Sequence, residues 1–122
     1  MKWKVKGKRV SNLNYKEKGK IVDKLIKLME KSLLNANQKK VIRKIVNNLE
    51  NTTEIQKDRF ILFYGLDEER CETRKLREIA VKYNCTTTAI RRSVITVKNK
   101  LSRLEKNVKL IAKVIQECKI NN

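Results

Sequence analysis

Ile90, Val94, Val97, Leu101, Leu104, Val108, Ile111 and Ile115 recur at steps of 4, 3, 4, 3, 4, 3 and 4 residues, and Cys118 adds one more step of 3. Only an α-helix returns side chains to one face at that interval. The chain has no proline and 3 glycines, none of them inside this run. The spacing predicts one long helix opening at Thr86 and running past Ile115, about 45 Å from end to end. A helix with such a seam has to cover it. Two occupants suit it: a second copy of the chain, giving a homodimer along a coiled-coil stem, or the helix expected near residues 21–34 of the same chain.

The rest of the chain carries the same period. Ile21, Val22, Leu25, Ile26, Leu28, Met29 and Leu33 place a first helix over about residues 15–34. Asn35-Ala36-Asn37 punctuates it, and Val41, Ile42, Ile45, Val46 and Leu49 place a second over about 37–50. Thr53 with Gln56 three residues on forms a capping box for a third helix, TEIQKDRFILFYGL, which Gly65 ends. Thr73 is expected to cap a fourth, TRKLREIAVKY. No segment alternates in the manner of a strand beyond the first few residues, so the fold class is all-α. The 122 residues suffice for one domain. Its parts are a flexible basic arm (1–13), an N-terminal helix (14–35), a central unit (36–104) and a C-terminal extension of the last helix (105–122).

The net charge is +18, which suits a polyanionic partner. Its distribution is more telling than its size. Residues 1–50 hold 15 basic and 4 acidic side chains, residues 51–85 hold 7 of each, and residues 86–122 hold 9 and 2. No apolar run approaches a membrane span or a secretory signal, so a cytoplasmic location is expected. Cys71, Cys85 and Cys118 are widely spaced in a chain without histidine, so neither a metal site nor a redox pair is expected. Without a glycine-rich phosphate loop or a useful pair of carboxylates either, no catalytic constellation or cofactor site is in view.

One short stretch combines a tight turn with exposed basic and small polar residues: LREIAVKYNCTTTAIRRSV, residues 76–94. A helix-turn-helix needs apolar contacts between its two helices, a small residue at their closest approach, and a turn tolerant of positive φ. Ile79 and Tyr83, Ala80, and Asn84 meet those needs in turn. Cys85 then serves as an apolar plug, Thr86 as the cap and Ile90 as the anchor of the second helix. Thr87 and Thr88 fall on its first turn, with Arg91 and Arg92 one turn later. Small polar side chains and arginine forks suit base edges and phosphates, and a helix N-terminus favours phosphate. Thr86, Thr87, Thr88, Arg91, Arg92 and, farther along, Lys98 are therefore the candidate contacts to double-stranded DNA.

The segment DRFILFYGLDEERCETRKLREIAVKYNCTTTAIRRSVITVKNKLSRL, residues 58–104, resembles region 4 of bacterial sigma-70-type transcription initiation factors. FILFYGLDEE is similar to that region's L-x-x-R-Y-G-L helix end and acidic loop. LREIAVKYNCTTTAIRRSVITVKNKL is similar to its L-x-E-I-G-x-x-x-G-V-T-x-E-R-V-R-Q-I helix pair with a trailing basic helix. The resemblance implies a domain that reads the −35 promoter element through Thr87, Thr88, Arg91 and Arg92. It also implies a grip on the β flap of RNA polymerase core, through a surface around Phe60, Ile61, Tyr64 and Leu66. Thr87 and Thr88 stand where the family has Arg and Glu, which implies a different target sequence. Ser93 replaces an apolar residue and Val94 a polar one, which implies a rotated register for the last helix. The first 50 residues hold only Trp3 and Tyr15 as aromatic platforms, too few to melt a promoter by base stacking. The chain is thus expected to act as a partial sigma factor or a polymerase-associated regulator. The alternative is a phage-type structural or packaging protein, with the helix-turn-helix holding DNA and the long helix as its oligomerisation stem.

Overall fold

A computed structural model describes residues 13–121, which form six α-helices; no strand occurs among the described residues. They are α1 (Tyr15–Glu30), α2 (Ala36–Asn47), α3 (Glu54–Phe63), α4 (Leu76–Tyr83), α5 (Thr87–Leu101) and α6 (Glu105–Asn121). The all-α class is as expected. The basic arm lies outside the described residues except for Leu13, which is buried in the core.

Local chemistry fixes most helix boundaries. Three helices open on reciprocal capping boxes, Asn14 with Glu17, Asn35 with Gln38 and Thr53 with Gln56, each satisfying two backbone donors. α1, α3 and α4 all close by the same device. Leu33, Leu66 and Cys85 each donate a backbone N–H to the carbonyl five residues back, at 2.9–3.0 Å, around a residue of positive φ. That residue is Ser32, Gly65 or Asn84. Only Gly65 also has a steric reason to be glycine, because a Cβ there would lie 2.3 Å from the backbone carbon of Glu72.

Besides α2, which ends at Asn47 rather than at about residue 50, three boundaries differ from expectation. α1 stops at Glu30 rather than at residue 34, because Ser32 turns the chain at φ 56°. α4 begins at Leu76 behind Lys75, without a side-chain cap, rather than behind Thr73. There the backbone of Glu72 and Thr73 is pressed against Gly65, and the N–H of Arg74 bonds to the Phe63 carbonyl at 3.3 Å. Residues 72–74 are thus docked on the end of α3.

The third difference is the largest. The expected single helix is two, broken at residues 102–104, so residues 105–121 form a separate helix and do not extend α5. The Ser102 hydroxyl donates to the Asn99 carbonyl at 2.9 Å, Arg103 N–H tightens onto Lys100 at 3.2 Å, and the Leu104 carbonyl starts the next helix. Leu104 drops out of the core and is 43% exposed. Energetics explain why the break wins. It forgoes a few backbone hydrogen bonds, worth about 1 kcal/mol net each. It lets α6 fold back and bury Val108, Ile111, Val114 and Ile115, at about 1.5–3 kcal/mol per large aliphatic side chain.

α6 packs chiefly on α1, while α3 and α4 pack on α5; α2 bridges α3, α5 and α6. α3 sits at the centre, with Phe60, Ile61 and Leu62 all buried. The seam from Ile90 to Cys118 is therefore covered in cis, first by α3 and α4 and then by α1.

Gly65→Ala is expected to lower the urea midpoint by the equivalent of about 2 kcal/mol or more, adding the clash to the left-handed penalty. Asn84→Gly, in the same backbone region without such a clash, is expected to shift it by less than about 1 kcal/mol. Equal effects in a denaturation series would refute the role given to the Glu72 approach.

Candidate nucleic-acid interface

α4 and α5 are joined by three residues, each with a distinct role. Asn84 adopts φ 50°, reversing the chain; the Thr86 side chain accepts from the Ala89 N–H at 3.1 Å, capping α5. Between them, half-buried Cys85 packs against the core. Ile79, Ala80 and Ile90 are buried where the two helices meet. These residues take the positions expected of them.

A polar lock from α3 holds this unit, and no sequence pattern announces it. The Arg59 guanidinium donates to the Ser93 hydroxyl on α5 at 2.8 Å and to Cys85 Sγ at 3.6 Å. It also lies over the Tyr83 ring, 4.9 Å from its centroid. Ser93 donates its own proton to the Ala89 carbonyl at 3.2 Å, and the Tyr83 hydroxyl bonds to Asp58. Burial and the Asp58 carboxylate together push the Tyr83 phenol well above the usual range. The serine where an apolar residue was expected is thus the acceptor for a half-buried arginine. Ser93 and Val94 both face the core, 5% exposed each, so α5 buries a broad face rather than a rotated one.

Opposite that face, Thr87, Thr88, Arg91, Arg92, Ile95 and Asn99 are exposed. Thr88, Arg91, Arg92, Ile95 and Asn99 follow three- and four-residue steps and form one outward stripe. α5 contains no acidic residue. Neither Arg91 nor Arg92 has a side-chain partner among the described residues. The other two cations of the helix are engaged: Lys98 pairs with Asp23 of α1 at 2.9 Å, and Lys100 donates to the Asn51 carbonyl. Lys98 therefore sits apart from the stripe, tying α5 to α1, and Thr86 is occupied as a cap. Thr87, Thr88, Arg91 and Arg92 are the expected residues that the structure brings together on open surface. Ile95 and Asn99 join them unannounced; the 3.6-residue period counted from Thr88 would have found both.

The balanced charge of residues 51–85 also has a structural meaning. Arg74 forks onto Asp67 at 2.7 and 2.9 Å, Arg43 binds Glu68 at 2.8 Å, and Arg70 binds Glu72 and Glu78. Lys82 pairs with Asp58 and Lys57 with Glu54. The loop after Gly65 is thus cross-linked by ion pairs, not simply solvated. Phe60, Ile61, Tyr64 and Leu66, the expected polymerase-gripping surface, are all buried, at 0–7% exposure. They build the interior and offer no surface; burial pushes the Tyr64 phenol up to about 12. Among the described residues no group of His, Cys, Asp or Glu could hold a metal ion, and no helix is long and apolar enough to cross a membrane.

No family model matches the chain, and comparison with curated proteins and with solved structures likewise returns no match. The assignment of this surface rests on its own residues.

The Arg74 fork holds the Asp67 carboxyl well below the usual carboxylate range. A carboxylate whose folded pKa is depressed contributes stability that is full above the unfolded value, near 3.9, and is lost as pH falls below it. Asp67→Asn should therefore cost about 1.5–3 kcal/mol at pH 7, and the gap to the parent protein should close as the pH falls below about 4. A gap independent of pH in parallel thermal melts would show that the fork is not the cause.

Proposed function

We propose that the chain is a DNA-binding transcription factor whose α4–turn–α5 unit is a helix-turn-helix, with α5 entering the major groove of duplex DNA. One observation carries the reading: α5 aims Arg91 and Arg92 outward without an internal partner, whereas Lys57 and Arg59 of α3, Lys82 of α4, and Lys98 and Lys100 of α5 are paired or bonded within the protein. Two unpaired guanidinium groups beside the hydroxyls of Thr88, on the same stripe, and of the adjacent Thr87 suit guanine edges, thymine methyls and phosphates. α3 and α4 set the tilt, and α1 with α6 buttress the far side.

The resemblance to sigma region 4 supports a role at promoters, and RNA polymerase core is the proposed second partner. Since the apolar residues expected to grip the flap are interior, such a grip would use other surface. The packaging reading calls for a helical oligomerisation stem, and the homodimer reading for a free seam on the last helix. The side chains of that seam on α6, among them Val108, Ile111, Ile115 and Cys118, are buried within the monomer. Co-purification with core RNA polymerase separates the promoter role from a role as a conventional regulator.

Arg91→Ala and Arg92→Ala are each expected to weaken duplex binding by about 1–3 kcal/mol if they reach bases, with log affinity falling linearly against log salt. Unchanged affinity of both variants by fluorescence anisotropy at about 150 mM salt, where the screening length is about 8 Å, would overturn the reading. Deleting residues 1–12, which carry Lys2, Lys4, Lys6, Lys8 and Arg9, is expected to lower affinity for all sequences alike and to flatten the salt slope. A loss confined to one sequence would show that this arm reads bases.

A further inference from the structure

We propose that Ile95 is a specificity-determining residue, reading the C5-methyl group of a thymine in the major groove. The inference rests on the DNA-binding reading above and assigns one element of its sequence preference. Ile95 is 48% exposed, yet it lies on the stripe between two arginines and Asn99. The seam of α5 that packs the core consists of Ile90, Ser93, Val94, Val97 and Leu101, and Ile95 is the only large aliphatic residue of the helix that turns away from it. Its fold role is therefore small.

An apolar side chain left in water does nothing for stability, but the same side chain beside a base step has one complementary partner. Of the four bases, only thymine offers the major groove an apolar group. The occupant is argued from charge: the stripe around Ile95 carries two unpaired guanidinium groups, and the helix has no carboxylate, so a polyanion is favoured over an apolar protein surface. Reach is adequate as well. Thr88 and Asn99 are eleven residues apart along α5, which spans about 16 Å at about 1.5 Å per residue. That length covers about five base steps at about 3.4 Å each, with Ile95 beyond the midpoint. Arg91 and Arg92 lie four and three residues before Ile95, one turn ahead of it on the same stripe, where arginine forks suit both bases and phosphates.

The test uses the full chain and two random-sequence duplex libraries, one built with thymine and one with uracil, which differs by the missing methyl. Selection on the thymine library should yield a motif with an invariant T·A pair. A duplex carrying that motif should lose about fourfold in affinity when this single thymine becomes uracil, the equivalent of one buried methyl. Ile95→Ala should bind the thymine and uracil duplexes equally. Because alanine is the better helix former, its thermal stability should not fall. A motif whose affinity is unchanged by uracil at every thymine would overturn the assignment, as would a uracil penalty that persists undiminished in Ile95→Ala. Failure of the parent protein to bind any duplex would instead overturn the DNA-binding reading itself, so the two failures are distinguishable.

Discussion

The guanidinium of Arg59 fixes how α3, α4 and α5 sit against one another, the geometry on which the proposed interface depends. Hydrophobic burial around Phe60, Leu66, Ile90 and Val97 makes the helices adhere, but burial is non-directional and tolerates a range of crossing angles. Arg59 removes that latitude. From one position on α3 it meets the aromatic end of α4, the plug of the turn and a hydroxyl in the middle of α5. Hydrogen bonds to a charged donor contribute about 1.5–3 kcal/mol, and losing one here would leave a half-buried charge short of acceptors. A small rotation of α5 would break the 2.8 Å contact to Ser93 and with it the aim of Arg91 and Arg92, two residues and one residue away.

Charge is used in two ways along the chain, and structure separates them. Around α3 and the loop that follows it, cations are bound to fixed acceptors. Lys57 satisfies the Asn47 carbonyl at the end of α2, Arg43 the Leu66 carbonyl, and Arg74 the Asp67 carboxylate. Arg43 and Arg74, with Arg70, hold together a loop with little apolar material of its own, from Asp67 to Lys75, while Lys57 ties α3 to the end of α2. On the exposed face of α5 the acidic partners are missing and the cations point outward. A surface that merely kept the protein soluble would intersperse both signs; this one sorts them.

The sequence was legible where boundaries rest on local chemistry. Thr53 with Gln56, Gly65, Asn84 and Thr86 each announce a cap or a stop that depends on residues within one turn, and all four act accordingly. Legibility failed where tertiary contacts decide. Thr73 looks like a cap but belongs to a strap pressed on Gly65, a contact invisible without the loop's return path. The break at residues 102–104 was hidden because two helices that bury faces toward one core preserve the same period across a bend. Arg59 carries no signal of its own, because a half-buried arginine and an exposed one are indistinguishable until Ser93 and Tyr83 are brought beside it. Ile95 is a different case: it lies off the seam of Ile90, Val94, Val97 and Leu101, and the period counted from Thr88 carries it to the outward stripe.

The bend after α5 has a consequence for function as well as for folding. A continuous helix would have carried residues 105–121 away from the core, leaving its own seam and the inner face of α1 to find a partner. Folding back instead, α6 covers α1, and α1 in turn reaches α5 through the pair between Asp23 and Lys98. The last cation but one of α5 is thereby anchored at the rear, and the first turns are left as the part free to engage another molecule. The helix is thus held at two points, by Arg59 at its middle and by Asp23 and the Asn51 carbonyl near its finish. In the proposed role of α5 as the DNA-reading element, restraint at two points would leave little conformational freedom to lose on binding, so more of whatever Arg91, Arg92 and the threonines gained from a polyanion would be realised as affinity.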